Sequence, residues 1–95
     1  MPQNEIADFI RSEKIIAVIR AEVEKEIFYE AVEALYSGGI KCIEITMTSP
    51  NALEIIETVS QKWRGKDLIV GVGTVLDSST CRLAILAGAK FVVTP

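Results

Sequence analysis

The chain contains no histidine. That absence removes the Ser-His-Asp triad, the common zinc sites and imidazole acid–base chemistry together. Any chemistry must come from carboxylates, lysines, hydroxyls or backbone groups. Cysteine is scarce: Cys42 and Cys81 show no CxxC or other metal spacing, and they read as two buried free thiols. No basic cluster is present and the net charge is −3, which speaks against nucleic acid as a partner. No apolar run approaches the roughly 20 residues of a membrane span. The start, Met1-Pro2-Gln3-Asn4-Glu5, has neither the basic residues nor the apolar stretch of a signal peptide.

What is present fits one segment, residues 1–95, with 49% apolar residues and so material for a core. A first helix is expected over Asn4–Glu13, with Asn4 as N-cap and Ile6, Phe9 and Ile10 on one side. Ile15–Ile19 is a short apolar run of the kind found in buried parallel strands. Val23–Ser37 has helical period, with Ile27, Ala31 and Leu35 as its stripe, Phe28 and Val32 beside it, and Glu26, Glu30 and Glu33 in solvent. Gly38-Gly39 closes that helix. Lys41–Thr48 reads as a strand. Ser49 and Pro50 read as the N-cap and first residue of a helix whose stripe is Ala52, Ile56, Val59 and Trp63. Leu68–Gly73 is the third strand, Asp77 caps a helix running to about Leu86, and Phe91–Thr94 is the fourth strand.

Strands alternating with helices imply right-handed crossovers and a parallel α/β sheet. A repeat of roughly 25 residues suits a (βα)8 TIM barrel better than a doubly wound sheet. The echo between Gly39-Ile40-Lys41-Cys42-Ile43 and Gly88-Ala89-Lys90-Phe91-Val92, each a helix-to-strand return, supports a repeating unit. Four such strands alone leave two open edges and an uncovered face. The chain is therefore expected to be part of a longer barrel or to associate with something.

The polar residues gather where strands end. Arg20 follows the first strand, Glu44, Thr46 and Thr48 lie on the second, Thr74 follows the third, and Thr94-Pro95 follow the fourth. In a parallel barrel these ends share one rim, the usual place for an active site. An arginine, a carboxylate and several hydroxyls there suit a small anionic substrate. Each also has a plainer reading. Arg20 is then the first solvated residue after a strand, Thr46 and Thr48 are good strand formers, Thr74 caps a turn and Pro95 ends a ladder. Glu44 is harder to set aside, because Ile43 and Ile45 flank it and a buried carboxylate is costly without a use or a partner. Gly71-Val72-Gly73 fails the dinucleotide fingerprint, since Leu76 stands at the third glycine position; close approach of backbone or ligand is the better explanation.

The runs Lys14–Arg20, Gly38–Thr46, Gly71–Val75 and Ala87–Pro95 together resemble the 2-keto-3-deoxy-6-phosphogluconate (KDPG) aldolase family, which includes 4-hydroxy-2-oxoglutarate aldolase. The resemblance covers essentially the whole chain. It implies a (βα)8 barrel about twice this length, of which the chain is the N-terminal half, usually trimeric and cytoplasmic. It implies a class I aldolase that releases pyruvate from KDPG through a Schiff base, with no metal or other cofactor. By the same resemblance Glu44 is the general acid/base, Thr74 holds the pyruvate carboxylate, Arg20 matches a rim arginine, and Pro95 closes the fourth strand beside the pocket.

Two departures stand out. Some members carry a substrate-contacting arginine where this chain has Thr48, a role Arg20 would take over. The family's Schiff-base lysine lies on a sixth strand. Lys14, Lys25, Lys41, Lys62, Lys66 and Lys90 fall on helices, in turns or at helix-to-strand junctions, away from the rim, so none is assigned that role. The piece alone is then expected to be inactive. A rival reading is a non-catalytic half-barrel module that assembles with itself or with a complementary half. An epimerase-type phosphate barrel is disfavoured by the missing histidines.

Overall fold

The structure is a computed structural model that describes residues 2–94. Its elements alternate: α1 (Gln3–Glu13), β1 (Ala17–Ile19), α2 (Lys25–Ser37), β2 (Cys42–Thr46), α3 (Ala52–Lys62), β3 (Ile69–Gly73), α4 (Ser78–Ala87) and β4 (Val92–Val93). The strands form one parallel sheet in the order β1-β2-β3-β4. Sequential parallel neighbours joined by helices are what consecutive units of a (βα)8 barrel look like. The expected α/β architecture is therefore present, with β1 and β4 as its edges.

Register sorts the side chains. Val18 pairs with Glu44, Glu44 with Gly71, and Gly73 with Val93, so these residues share one face. The opposite face carries Ile43, Ile45, Val70 and Val72. Those pack against Phe28 and Val32 of α2, Ile55, Ile56 and Val59 of α3, and Ala84 of α4 to make the core. At about 25 cal/mol per Å² of apolar area removed from water, that layer is the main source of stability. The first face, with Glu44, is the one a barrel turns inward.

Several element ends differ from expectation. Asn4 lies inside α1, and Pro2 holds the N-cap position, where its fixed φ and missing N–H fit a helix start. The buried line of α2 is Phe28 and Val32, while Ile27 is half exposed, because the sheet meets the helix along the neighbouring stripe. β2 stops at Thr46 rather than Thr48. The chain turns there, with the Ser49 N–H donating to the Thr46 carbonyl at 3.0 Å. Ser49 consequently does not cap α3. The helix starts at Ala52, after Asn51 in left-handed geometry (φ 59°), and no side chain caps it. Asp77 does cap α4, accepting the Thr80 N–H at 2.7 Å. The carboxylate is held below its usual range by the backbone N–H and hydroxyl of Thr80. Cys42 is buried, and burial pushes its thiol up; Cys81 is only half-buried, in the first turn of α4.

At the opposite end of the sheet from the rim, Asp67 joins three elements. It receives Lys41 Nζ at 2.8 Å and the Tyr36 hydroxyl. Lys41, more than Tyr36, pulls the carboxyl below its usual range, and the Asp67 carboxylate holds Lys41 and Tyr36 above theirs. Tyr36 in turn packs against Trp63 in a tilted arrangement, with ring centroids 4.5 Å apart.

Candidate active site

Glu44 sits in the middle of β2, and its face is fixed by register. Flanking Ile43 and Ile45 point into the helix-covered core, so Glu44 must point to the barrel interior. It is 7% exposed. No described side chain hydrogen-bonds or ion-pairs with its carboxylate. Room for it comes from the neighbouring strand. A Cβ at Gly73 would collide with the Glu44 carboxylate, so that carboxylate lies across the Gly73 Cα. Gly71 plays the same part for the Phe91 ring. The Gly-Val-Gly run thus admits a close approach, as its composition implied, and the groups that approach are the chain's own Glu44 and Phe91.

The strand C-termini hold a polar ring. Arg20, just past β1, donates from Nη2 to Thr74 Oγ1 at 3.2 Å, joining residues that are distant in sequence. Thr74 itself is in the left-handed region at φ 57°, an uncommon place for a β-branched residue. Thr46 is fully buried, and its hydroxyl lies 2.9 Å from that of Thr48 and 3.3 Å from that of Ser49. Ser49 Oγ also accepts the Ala21 N–H at 3.4 Å, which ties the loop bearing Arg20 to the end of β2. The Met47 N–H donates to the Gly73 carbonyl at 2.9 Å and continues the ladder past Thr46.

Arg20, Glu44 and Thr74 therefore belong to one mouth: Arg20 bonds Thr74, and Glu44 covers the residue before Thr74. Thr48 is at the surface and reaches the group through Thr46. Pro95 lies outside the described residues. Ser49 was not among the expected site residues. Read as a helix cap in the sequence, it is instead a 5%-exposed hydroxyl inside the ring. The signal available was its position one residue past Thr48, at the end of an alternating polar face.

Lys25 needs a correction. It opens α2, so it stands at the rim end of the molecule, but in the outer helix layer. There it bonds Glu54 Oε1 at 2.7 Å, and that bond holds its ammonium above the usual range. Lys41 and Lys62 are paired with Asp67 and Glu33. No group of three or more possible metal ligands exists among the described residues. No described helix is long and apolar enough to cross a membrane.

Parallel βα units that collect their polar side chains at the strand C-termini define a (βα)8-barrel type of protein. Residues 6–95 match the aldolase family described as KDPG and KHG aldolase, and the chain belongs to that family. It is 40% identical over 85 residues to the 2-dehydro-3-deoxy-phosphogluconate aldolase of Pseudomonas aeruginosa, covering 90% of this chain and 37% of that one. The KDPG aldolase of Zymomonas mobilis ZM4, solved with 3-phosphoglycerate, superposes with a TM-score of 0.83 at 30% identity. That alignment covers 99% of this chain and 43% of that structure. The KDPG aldolase of Legionella pneumophila, with pyruvate captured as a covalent carbinolamine intermediate, gives a TM-score of 0.76 at 31% identity over 84% of this chain and 37% of that one. The chain thus spans well under half the length of these relatives.

Proposed function

We propose that this chain contributes the acid–base and carboxylate-binding part of a class I aldolase site acting on KDPG or 4-hydroxy-2-oxoglutarate. The observation that carries the reading is Glu44: an inward-facing, nearly buried carboxylate with no described side-chain partner, beside an arginine bonded to a threonine. Such an acid is free to exchange protons with a ligand.

In this reading the keto acid lies in the mouth with its carboxylate on Arg20, Thr74 and the hydroxyl of Thr48, and Pro95 borders it. A lysine amine from the remainder of the barrel attacks the keto carbon. Glu44 gives the proton that lets the carbinolamine lose water. As the Schiff base forms, the iminium becomes the electron sink for C–C cleavage. Glu44 then takes the proton of the C4 hydroxyl, the aldehyde leaves, and the enamine is reprotonated and hydrolysed to pyruvate. The reading leaves Lys14, Lys25, Lys41, Lys62, Lys66 and Lys90 out of the nucleophile's role. Lys25, Lys41 and Lys62 carry ion pairs, and Lys14, Lys66 and Lys90 lie at the far ends of the elements. The 95-residue chain alone is therefore inactive, and the complete barrel is a cytoplasmic homotrimer that needs no cofactor and engages neither nucleic acid nor membrane.

The test is a chimera that joins this chain to the remaining βα units of the Pseudomonas aeruginosa relative. Borohydride reduction with pyruvate should trap a covalent adduct on the chimera and none on the 95-residue chain. An adduct on one of the lysines named above would overturn the assignment.

A further inference from the structure

None of the described hydrogen bonds of Ser49 serves a helix. Its N–H donates to the Thr46 carbonyl at 3.0 Å, and its hydroxyl lies 3.3 Å from that of Thr46. These two bonds fold Ser49 back over the end of its own strand. A third crosses to a different unit: Ser49 Oγ accepts the Ala21 N–H at 3.4 Å. Pro50 follows, and a residue before proline is disfavoured in helical backbone. Ser49 therefore stays outside α3, with its hydroxyl turned toward the loop after β1 and only 5% of the residue exposed. Removing that hydroxyl leaves the Ala21 N–H without its partner.

The third bond holds the segment that carries Arg20. Residues 20–23 belong to no helix or strand. Among the described residues, two hydrogen bonds tie them to the neighbouring strand ends: Ala21 N–H to Ser49, and Arg20 Nη2 to Thr74 Oγ1 at 3.2 Å. The second is made by the tip of a long, exposed side chain. The first is made by the backbone of the very next residue, and it fixes where the root of that side chain stands. No acidic side chain among the described residues pairs with Arg20. Its guanidinium thus has N–H groups to offer an anion, and such a fork grips a carboxylate well only when it is correctly aimed. Aim is set at the root. Ala21 sets the root, and Ser49 sets Ala21.

We infer that Ser49 is a positioning residue for substrate binding: by accepting the Ala21 N–H it sets the loop after β1 so that Arg20 stands on Thr74 and faces the carboxylate of the keto acid. The inference rests on the proposed reading of Arg20 as a carboxylate-binding group. Ser49 itself moves no proton of the reaction. Its loss acts on affinity, through Arg20, and leaves the chemistry at Glu44 alone.

The experiment is steady-state kinetics with KDPG on the chimeric barrel and on its variants Ser49→Ala, Arg20→Ala and the two combined. Ser49→Ala should raise KM about fivefold, the worth of one neutral hydrogen bond, with kcat within about twofold of the parent. Arg20→Ala should raise KM further. In the Arg20→Ala background, adding Ser49→Ala should leave KM unchanged, because a residue that acts by aiming an arginine then has nothing to aim. Should Ser49→Ala fail to fold, Ser49→Cys takes its place in the same cycle, with similar volume and a weaker acceptor. An unchanged KM in Ser49→Ala beside a raised one in Arg20→Ala overturns the inference and leaves the carboxylate-binding reading standing. So does an effect of Ser49→Ala that is the same with and without Arg20, or a fall in kcat at constant KM, the marks of a merely structural role. An unchanged KM in Arg20→Ala overturns both the inference and the reading beneath it.

Discussion

The Glu44 carboxylate occupies the volume in which a side chain at Gly73 would stand. The acid reaches diagonally over β3, past its register partner Gly71, to the glycine two residues on, and each constrains the other. Gly73→Ala should push the carboxylate off its place over β3. An added methyl in a packed site costs about 1–3 kcal/mol, to be read as a lower urea midpoint with an unchanged slope. Normal stability in the alanine variant would mean that the acid already lies elsewhere.

Thr74 holds a strained backbone and a useful hydroxyl together. Its left-handed conformation (φ 57°) costs a non-glycine residue about 1–3 kcal/mol, and glycine would relieve that strain. The same change removes the acceptor for Arg20. Thr74→Gly should leave stability equal or higher and weaken pyruvate binding by the chimeric barrel, so the two quantities move apart. Parallel losses in both would argue that the residue is only structural.

The network at the far end of the sheet sets a pH window. Asp67 has its carboxyl lowered by Lys41 and Tyr36, so its stabilisation is present above the unfolded carboxyl value and is lost as pH falls through the lower folded one. Lys41 and Tyr36 are raised, so their contribution is full below their ordinary values of 10.5 and 10.0 and is lost as pH climbs through the higher folded ones. The urea midpoint should be flat between those limits and fall on both sides. Asp67→Asn should flatten the acid limb more than a surface change such as Glu57→Gln does.

Phe28 is the largest of the fully buried side chains and ties α2 to the sheet. Phe28→Ala should cost about 3–5 kcal/mol, enough to unfold a small domain at room temperature, with loss of the circular dichroism signal as the readout. Ile27→Ala, one position away and half exposed, should be nearly neutral.

That pair of neighbours shows how much of the fold was legible in the sequence. The order of elements and the parallel sheet followed from alternation, helix stops and strand ends, and the family from the resemblance of four runs of residues. The rotational setting of α2 did not. Ile27 and Phe28 are both apolar, and only the position of the sheet decides which one is buried. The faces of β2 were legible because the period of a strand is two. Its end was not, since Met47 and Thr48 continue the alternating pattern while the chain has already turned. Ser49 looked like a cap because Ser-Pro often opens a helix. Its hydroxyl was instead drawn inward by Thr46 and the Ala21 N–H, contacts made by residues from another unit of the chain.

The most direct test of the central claim is the rate of pyruvate release from KDPG by the chimeric barrel carrying Glu44→Gln. Glutamine keeps the size of the side chain and removes its proton exchange, so the turnover number should fall by about 10² to 10⁴ while borohydride still traps some adduct. Turnover equal to that of the parent chimera would contradict the account, because Glu44 would then have no part in the chemistry.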